Sequence, residues 1–255
     1  MALFDSQANG FDDRAGLPEG VPAAVARAVL DFANLEAGEG LIEIGAGTGE
    51  IGIHLAGRWS GYAAFDISAA MLGRFPELEG KSAPRVQADG DAAWPFRIGA
   101  ARAVFGSRSL HFMRPAHLAS ELARISNGRG ILILGKVERD ADSVKEVMRH
   151  AMREILREEG FRGRGGRRWR EELRETMGGG ALGPVTVASW KVAATPRRSL
   201  DAWEGKSGLA GIEVPADVKR KVLGRLESWA EERYGSLDAA GESEEKYVLE
   251  GIALA

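Results

Sequence analysis

LIEIGAGTGE, residues 41–50, is the stretch on which the reading of the whole chain turns. Leu41, Ile42, Glu43 and Ile44 make a short apolar run broken by one acid, which suits a strand buried on both faces of a parallel sheet. Gly45, Gly47 and Gly49 follow at alternate positions. Lacking Cβ, glycine can take backbone angles closed to other residues and lets a flat ligand lie against the main chain, so the turn is a candidate ligand seat. Thr48 and Glu50 open a helical run (Ile51, Ile53, His54, Leu55) whose first free N–H groups point back to the same place. Residues 62–65 form the next expected strand, and Asp66 ends it about twenty residues beyond the glycines, where a carboxylate can accept hydrogen bonds from a ribose diol.

The spelling of the turn separates two classes of nucleoside ligand. Dinucleotide sites use G-x-G-x-x-G, which seats a pyrophosphate on the helix N-terminus. Here the glycines read G-x-G-x-G with Glu43 just before them. An acid so close would repel a pyrophosphate and suit an ammonium or sulfonium group.

Working outward, the chain of 255 residues is long enough for one large α/β domain with a small cap. A net charge of −3 argues against a general nucleic-acid binder. The sequence holds no cysteine, which excludes disulfides, thiolate nucleophiles and zinc-thiolate sites. Its four histidines lack H-x-x-x-H or H-x-H spacing, so no metal site is expected. A G-x-S-x-G elbow is missing too. No apolar run approaches the roughly 18 to 20 residues of a membrane span, and the acidic start MALFDSQANGFDD lacks a signal core, so a cytoplasmic protein is expected. Nothing in the sequence speaks to oligomeric state.

Apolar spacing predicts a helix over 21–32, with Pro22 in its first turn. Ser68 is a plausible N-cap for a short helix carrying Met71 and Leu72. Strands are expected at 85–88, ending at Asp89, and at 101–106, followed by the loop Ser107-Arg108-Ser109-Leu110-His111-Phe112. That loop falls outside the carboxyl end of its strand, where open α/β sheets bind ligands. His111 is a candidate base, because its ordinary pKa near 6.5 lets it take a proton at neutral pH; a packing or substrate-lining role is its other reading. Pro115 opens a helix with Leu118, Leu122 and Ile125 on one face, and a strand follows at 131–134. Strict alternation then stops. Residues 140–177 are charged and helical in pattern, broken by FRGRGGRRWR, in which Arg162, Arg164, Arg167, Arg168 and Arg170 fall within nine residues. They invite an anion or RNA reading, whereas the flanking Glu158, Glu159, Glu171, Glu172 and Glu175 invite that of a locally neutralised solvated lid. Residues 184–195 alternate like a strand, helices are expected from Ser199 and over 216–234, and 247–254 closes as an apolar strand.

E-x-G-x-G-x-G followed by F-D-I-S resembles the class I S-adenosylmethionine-dependent methyltransferases. The resemblance runs on through D-x-S-x-x-M-L at Asp66, Ser68, Met71 and Leu72, and through Asp89-Gly90 with Trp94-Pro95-Phe96, which is similar to the family's D-A-x-x-L-P-F. Phe4, Asp5, Ala8, Phe11 and Asp12 resemble a family segment that folds over the cofactor. Departures are the strand opening ARAV, which lacks the family's acid, and I-S-N-G-R-G in place of L-K-P-G-G. The resemblance implies an α/β fold with a doubly wound, mostly parallel seven-stranded sheet of order 3-2-1-4-5-7-6, helices on both faces and a helical lid insert. It implies one methyltransferase domain over 1–255, with 1–34 as cofactor-covering segment and helix and with 137–183 and 199–240 as cap regions. S-adenosylmethionine would be held by Phe11, Glu43, Gly45, Ala46, Gly47, Gly49, Asp66, Ile67, Met71, Asp89, Gly90 and Ser107, with Glu43 and the glycines at the methionine part, Asp66 at the ribose and Asp89 at the adenine. The expected reaction is methyl transfer to a small-molecule acceptor, in a branch similar to the quinone-biosynthesis methyltransferases. Three alternatives stay open: an RNA or protein methyltransferase using the arginine run, an NAD(P)-dependent oxidoreductase, and a cofactor-binding module without chemistry.

Overall fold

Seven strands pair into one sheet in the computed structural model, which describes residues 16–78, 81–163, 166–206 and 208–255. They are β1 (Leu41–Ile44), β2 (Tyr62–Asp66), β3 (Arg85–Gln87), β4 (Ala103–Ser107), β5 (Ile131–Arg139), β6 (Gly178–Ala194) and β7 (Gly241–Leu254). Their spatial order, β3-β2-β1-β4-β5-β7-β6, is the one expected. Phe11, with Phe4, Asp5, Ala8 and Asp12 of the expected covering segment, lies outside the described residues.

β1 is buried at all four positions and has parallel neighbours on both sides. Leu41 lies opposite Tyr62 of β2 and Ala103 of β4. β3 and β5 extend the parallel set. The last strand reverses it: the Leu254 N–H donates to the Gly130 carbonyl before β5 at 2.9 Å, while Glu250, earlier in β7, meets Lys136 near the far end of β5 at 2.5 Å. Numbers rising along one strand and falling along the other make the pair antiparallel.

The helices are α1 (Val21–Ala33), α2 (Gly52–Ala56), α3 (Ala69–Leu72), α4 (Pro115–Ser126), α5 (Val144–Glu158), α6 (Gly166–Met177), α7 (Pro196–Glu204) and α8 (Ala216–Tyr234). α1 buries Val21, Val25, Ala26, Val29 and Ala33, the three-and-four spacing legible in its sequence. Leu118, Leu122 and Ile125 of α4 and Leu173 and Met177 of α6 pack into one cluster with Ile42, Ile44, Phe65, Val104 and Leu132 of the sheet. Burial of such side chains contributes roughly 1.5–3 kcal/mol each.

Two compact units divide the chain. The first comprises Met1–Val137, Gly166–Ala188 and Tyr247–Ala255; the second comprises Glu138–Gly165 and Ser189–Lys246. These bounds differ from the expected caps over 137–183 and 199–240, because α6 packs into the core of the first unit through Leu173 and Met177. The second unit has its own core, in which Met148, Met152, Ile155 and Leu156 of α5 meet Val222, Leu226 and Ala230 of α8.

Three strands clearly exceed their expected lengths, β5 by running on to Arg139 rather than ending at 134. β6 starts at Gly178 rather than at 184; it is the outer strand of the sheet and mostly exposed, so it needs no apolar alternation to form. β7 starts at Gly241 rather than at 247, across the charged run GESEEK. Glu245 is buried there because Arg139 Nε and Lys145 Nζ both meet its Oε1 at 2.8 Å.

The loop that follows β3 is fastened by a carboxylate on α4. Glu121 Oε2 accepts the Trp94 N–H at 2.7 Å, and Arg124, bonded to Glu121 Oε1 at 2.9 Å, donates onward to the carbonyls of Trp94 and Phe96 at 3.1 and 2.7 Å. Hydrogen bonding from Arg124, then from the Trp94 N–H, holds the Glu121 carboxyl below its ordinary range. A depressed folded pKa stabilises above the unfolded value and is lost as pH falls through the folded one. Glu121→Gln is therefore expected to lower stability by about 1–3 kcal/mol at neutral pH, a difference that shrinks in acid; denaturant unfolding of both proteins at pH 7 and pH 3.5 checks it.

Candidate functional site

The glycine turn holds left-handed backbone at each glycine, with φ of 68° at Gly45, 57° at Gly47 and 81° at Gly49. Two of the three are also closely packed. A Cβ on Gly45 would lie 2.3 Å from Ser109 Cβ, and one on Gly49 would lie 2.5 Å from the Phe75 ring. Around Gly47 there is no described atom within 4 Å of that position, so the middle of the turn borders open space. Ala46 and Gly45 both donate to the Phe65 carbonyl, at 3.3 and 2.9 Å, which ties the turn to the end of β2.

Asp66 sits where that tie ends. Its Oδ2 accepts the Gly47 N–H and its Oδ1 the Ser68 N–H, each at 2.8 Å. A carboxylate offers about four acceptor positions, so one such group can serve backbone donors and a ligand together. Ser68 caps α3, its Oγ accepting the Met71 N–H at 3.2 Å, as its sequence position suggests. Ile67 is half-buried between them and Met71 is buried. On the neighbouring strand end, Asp89 Oδ1 accepts the Asp91 N–H at 2.9 Å, and the Gly90 carbonyl accepts the Trp94 indole N–H at 3.0 Å. A Cβ on Gly90 would lie 2.6 Å from Met113 Sδ, so the glycine admits Met113 against this loop.

The loop beyond β4 closes the arrangement. Ser109 Oγ donates to the Ile44 carbonyl at 2.8 Å, locking this loop to β1. Ser107 Oγ accepts the Tyr247 hydroxyl at 2.7 Å. Tyr247 belongs to β7 and reaches Ser107 over Gly135 of β5, where a Cβ would stand 2.1 Å from its hydroxyl. Arg108, at φ 60°, donates to Glu50 Oε2 at 3.0 Å, and Glu50 Oε1 accepts the Leu17 N–H. His111 is exposed on a 3-10 turn over Leu110–Phe112, its ring centroid 4.0 Å from that of Phe112. Trp169 Nε1 of α6 donates to the Met113 carbonyl at 2.7 Å, pinning the end of that turn.

Glu43 lies beneath the turn, 2 % exposed, with Oε2 accepting the Tyr62 hydroxyl at 2.6 Å. A Cβ on Gly52 would be 2.6 Å from that same oxygen. Burial pushes the carboxyl up to about 8, against a lowering from the Tyr62 hydrogen bond and with further raising by Asp66 and Glu50. At neutral pH the group is therefore mostly protonated in the protein as it stands, so the negative charge that the sequence places beside the turn is largely masked there.

The structure thus gathers Gly45, Ala46, Gly47, Gly49, Asp66, Ile67, Asp89, Gly90 and Ser107 at the carboxyl ends of four adjacent strands. Glu43 and Met71 stand behind them as buried supports, and His111 follows on the β4 loop. Sequence reasoning did not single out Tyr62, Arg108, Tyr247 or Trp169 as site residues. Tyr247 carries no local signal, since its partner is 140 residues away; Trp169 was hidden inside a charged run. Among the described residues, no group of three or more His, Asp or Glu side chains could hold a metal ion, and no helix is long and apolar enough to cross a membrane.

Residues 42–134 match the family described as methyltransferase domain. A comparison with curated protein sequences finds no match. Among solved structures, a protein from Bacillus halodurans C-125 provisionally named a methyltransferase is 17% identical, with 90% of this chain and 99% of that one covered at a TM-score of 0.57. The YcgJ protein of Bacillus subtilis is 15% identical, covering 90% and 98% of the two chains at 0.55. Phosphoethanolamine N-methyltransferase 2 of Haemonchus contortus, in complex with phosphomonomethylethanolamine and S-adenosylhomocysteine, is 14% identical, covering 98% and 58% at 0.51. At such identities the likeness to solved structures is one of fold. The family match is confined to residues 42–134, and the fold is shared over most of the chain with these structures.

Two outcomes are expected of these contacts. Gly49→Ala forces both a left-handed alanine and a collision with Phe75, and is expected to cost about 2–4 kcal/mol, against about 1–2 for Gly47→Ala, which meets open space; thermal unfolding of the two variants measures the gap. For Glu43, a glutamate in an unfolded chain titrates at about 4.3. Between that value and about 8 the folded state keeps a proton that the unfolded state has lost, so stability falls as pH rises through the window. Glu43→Gln removes that slope. The stability of the variant relative to the parent is expected to rise from pH 5 to pH 8 and to level off above; a flat difference across the range would refute the buried proton.

Proposed function

We propose that this methyltransferase domain carries the methyl group of S-adenosylmethionine to a small-molecule acceptor by in-line displacement. The observation that supports this most directly is the Asp66 carboxylate at the end of β2, oriented beside the glycine turn by the Gly47 and Ser68 N–H groups. A carboxylate placed there suits the two hydroxyls of a ribose. Asp89, whose Oδ1 already turns the loop through Asp91, would use its second oxygen on the amino group of the adenine, with Gly90 and the buried Met71 below the ring. The glycine turn, open at Gly47, would take the methionine part, and Ser107 would offer its backbone. A cation placed there would lower the Glu43 pKa and favour loss of its proton to solvent, so the buried acid would answer the ligand's charge through the turn.

When bound, S-adenosylmethionine supplies a methyl on a positively charged sulfur that leaves as a neutral thioether. The chain's own task is alignment of the acceptor with that methyl and exclusion of water. His111, on the 3-10 turn beyond β4, would take the proton that an oxygen or nitrogen acceptor releases. The net charge of −3 favours a small acceptor over a polyanionic one. The Haemonchus enzyme of like fold, complexed with a small phosphorylated amine, is consistent with the same class.

Two measurements test the reading. By calorimetry, Asp66→Ala is expected to weaken S-adenosylhomocysteine by about 10- to 100-fold, the value of one or two charge-assisted hydrogen bonds at about 1.4 kcal/mol per factor of ten; unchanged affinity would overturn the ribose role. His111→Gln is expected to leave that affinity intact while slowing methyl transfer from labelled cofactor into a small-molecule extract by about 100-fold. Equal rates would remove the base.

A further inference from the structure

One side chain of α6 spends its polar atom outside its own helix. Trp169, Leu173 and Met177 recur at intervals of four, which puts them on one helix face. Leu173 and Met177 are buried in the cluster that α4 shares with the sheet, and Trp169 packs against it. At the far end of the helix, the Ala255 N–H donates to the Met177 carbonyl at 3.2 Å. Packing at such a position is met by any large apolar side chain of similar volume. An indole adds one N–H, which calls for a partner where it leaves water. Here the partner is the Met113 carbonyl, 56 residues earlier, at 2.7 Å.

Met113 ends the loop beyond β4 that carries His111. The loop enters from a fixed point, because Ser109 Oγ donates to the Ile44 carbonyl at 2.8 Å and Leu110 is buried over Gly106, where a Cβ would lie 2.5 Å from Leu110 Cγ. The chain then passes through His111 and Phe112 in one 3-10 turn, closed by the Phe112 and Met113 N–H groups on the Ser109 and Leu110 carbonyls at 3.1 and 3.0 Å. Met113 sets the exit of that turn twice over. Its side chain fills the gap at Gly90, and its carbonyl takes the indole N–H. The loop of Gly90 has further fasteners: Glu121 and Arg124 hold Trp94 and Phe96, and Asp91 Oδ1 accepts the Arg114 N–H at 2.8 Å. Removing the indole N–H therefore acts on the turn of His111 and leaves the loop after β3 tied to α4.

We propose that Trp169 is a positioning residue for methyl transfer, its indole N–H setting the exit of the 3-10 turn through the Met113 carbonyl and with it the place of His111. The proposal rests on the reading of His111 as the base. Trp169 touches neither cofactor nor acceptor in this role; it acts through a backbone group two residues from the imidazole.

Trp169→Phe keeps an aromatic ring on the stripe and removes the N–H alone, so the fold is expected to persist, which thermal unfolding checks. By calorimetry, S-adenosylhomocysteine should bind the variant as it binds the parent, since Asp66 and the glycine turn keep their contacts. Transfer of labelled methyl from S-adenosylmethionine into a small-molecule extract is expected to slow by about tenfold, part of the loss of about 100-fold that a misplacement of about 1 Å brings. In a His111→Gln background the same substitution should slow transfer no further. The ring-nitrogen NMR signals of His111, identified by their absence from His111→Gln, should shift in Trp169→Phe while those of His54 and His150 stay. Unmoved His111 signals, or equal slowing in both backgrounds, would overturn the role of Trp169 and leave the base in place. A His111→Gln variant that transfers at the parent's rate would instead remove the base and this proposal with it, so the two failures are told apart.

Discussion

A single carboxylate joins the two loops on which this site depends. Asp66 accepts one N–H from the glycine turn after β1 and one from the cap of α3 after β2, each at 2.8 Å. The Gly45 and Ala46 N–H groups already bond the Phe65 carbonyl, and the acid carries that tie onward to Gly47 and Ser68. Satisfying two backbone donors with a charged acceptor makes short, strong bonds and fixes the orientation of the acid itself. The carboxylate is thereby held in one orientation at the end of β2, which lowers the cost of ordering it around a ligand.

Further tethers extend the same idea across the sheet. Ser109 binds the β4 loop to the Ile44 carbonyl, Arg108 meets Glu50 between the β4 loop and the glycine turn, and Tyr247 reaches Ser107 from the antiparallel strand. Trp169 holds the Met113 carbonyl, and Met113 in turn fills the space left by the missing side chain of Gly90. Loops at a sheet edge are the most mobile parts of such folds. Here each is tied to a neighbouring strand or helix by at least one polar contact, which is how an open crevice keeps a defined shape without a ligand.

Buried charge sets the electrostatic tone of the first unit. Glu43 is shielded by Tyr62 and Gly52 and rests with its carboxyl pushed up to about 8. Such a group is costly as an anion and cheap as an acid, so its state depends on what lies above the turn. Glycine at position 52 is part of this device, because any side chain there would strike both the acid and the tyrosine.

Much of the first unit was determined by the sequence alone, and for a physical reason: strands buried on both faces must be apolar runs, turns with left-handed backbone call for glycine, and helix caps call for Ser or Pro. Those local rules placed β1, β2, α1, α3 and α4, the glycine turn, and Asp66 and Asp89 at strand ends. What only the tertiary structure decided depends on distance in space. It drew the boundary between two units through the expected caps, lengthened β7 across a charged run by pairing Glu245 with Arg139 and Lys145, and set Tyr247 on Ser107. It also turned Glu43 from a negative charge beside a turn into a buried acid under it whose carboxyl is pushed up to about 8. No local pattern encodes these contacts, because each joins groups far apart along the chain or depends on burial that exists only once the sheet and its helices have packed.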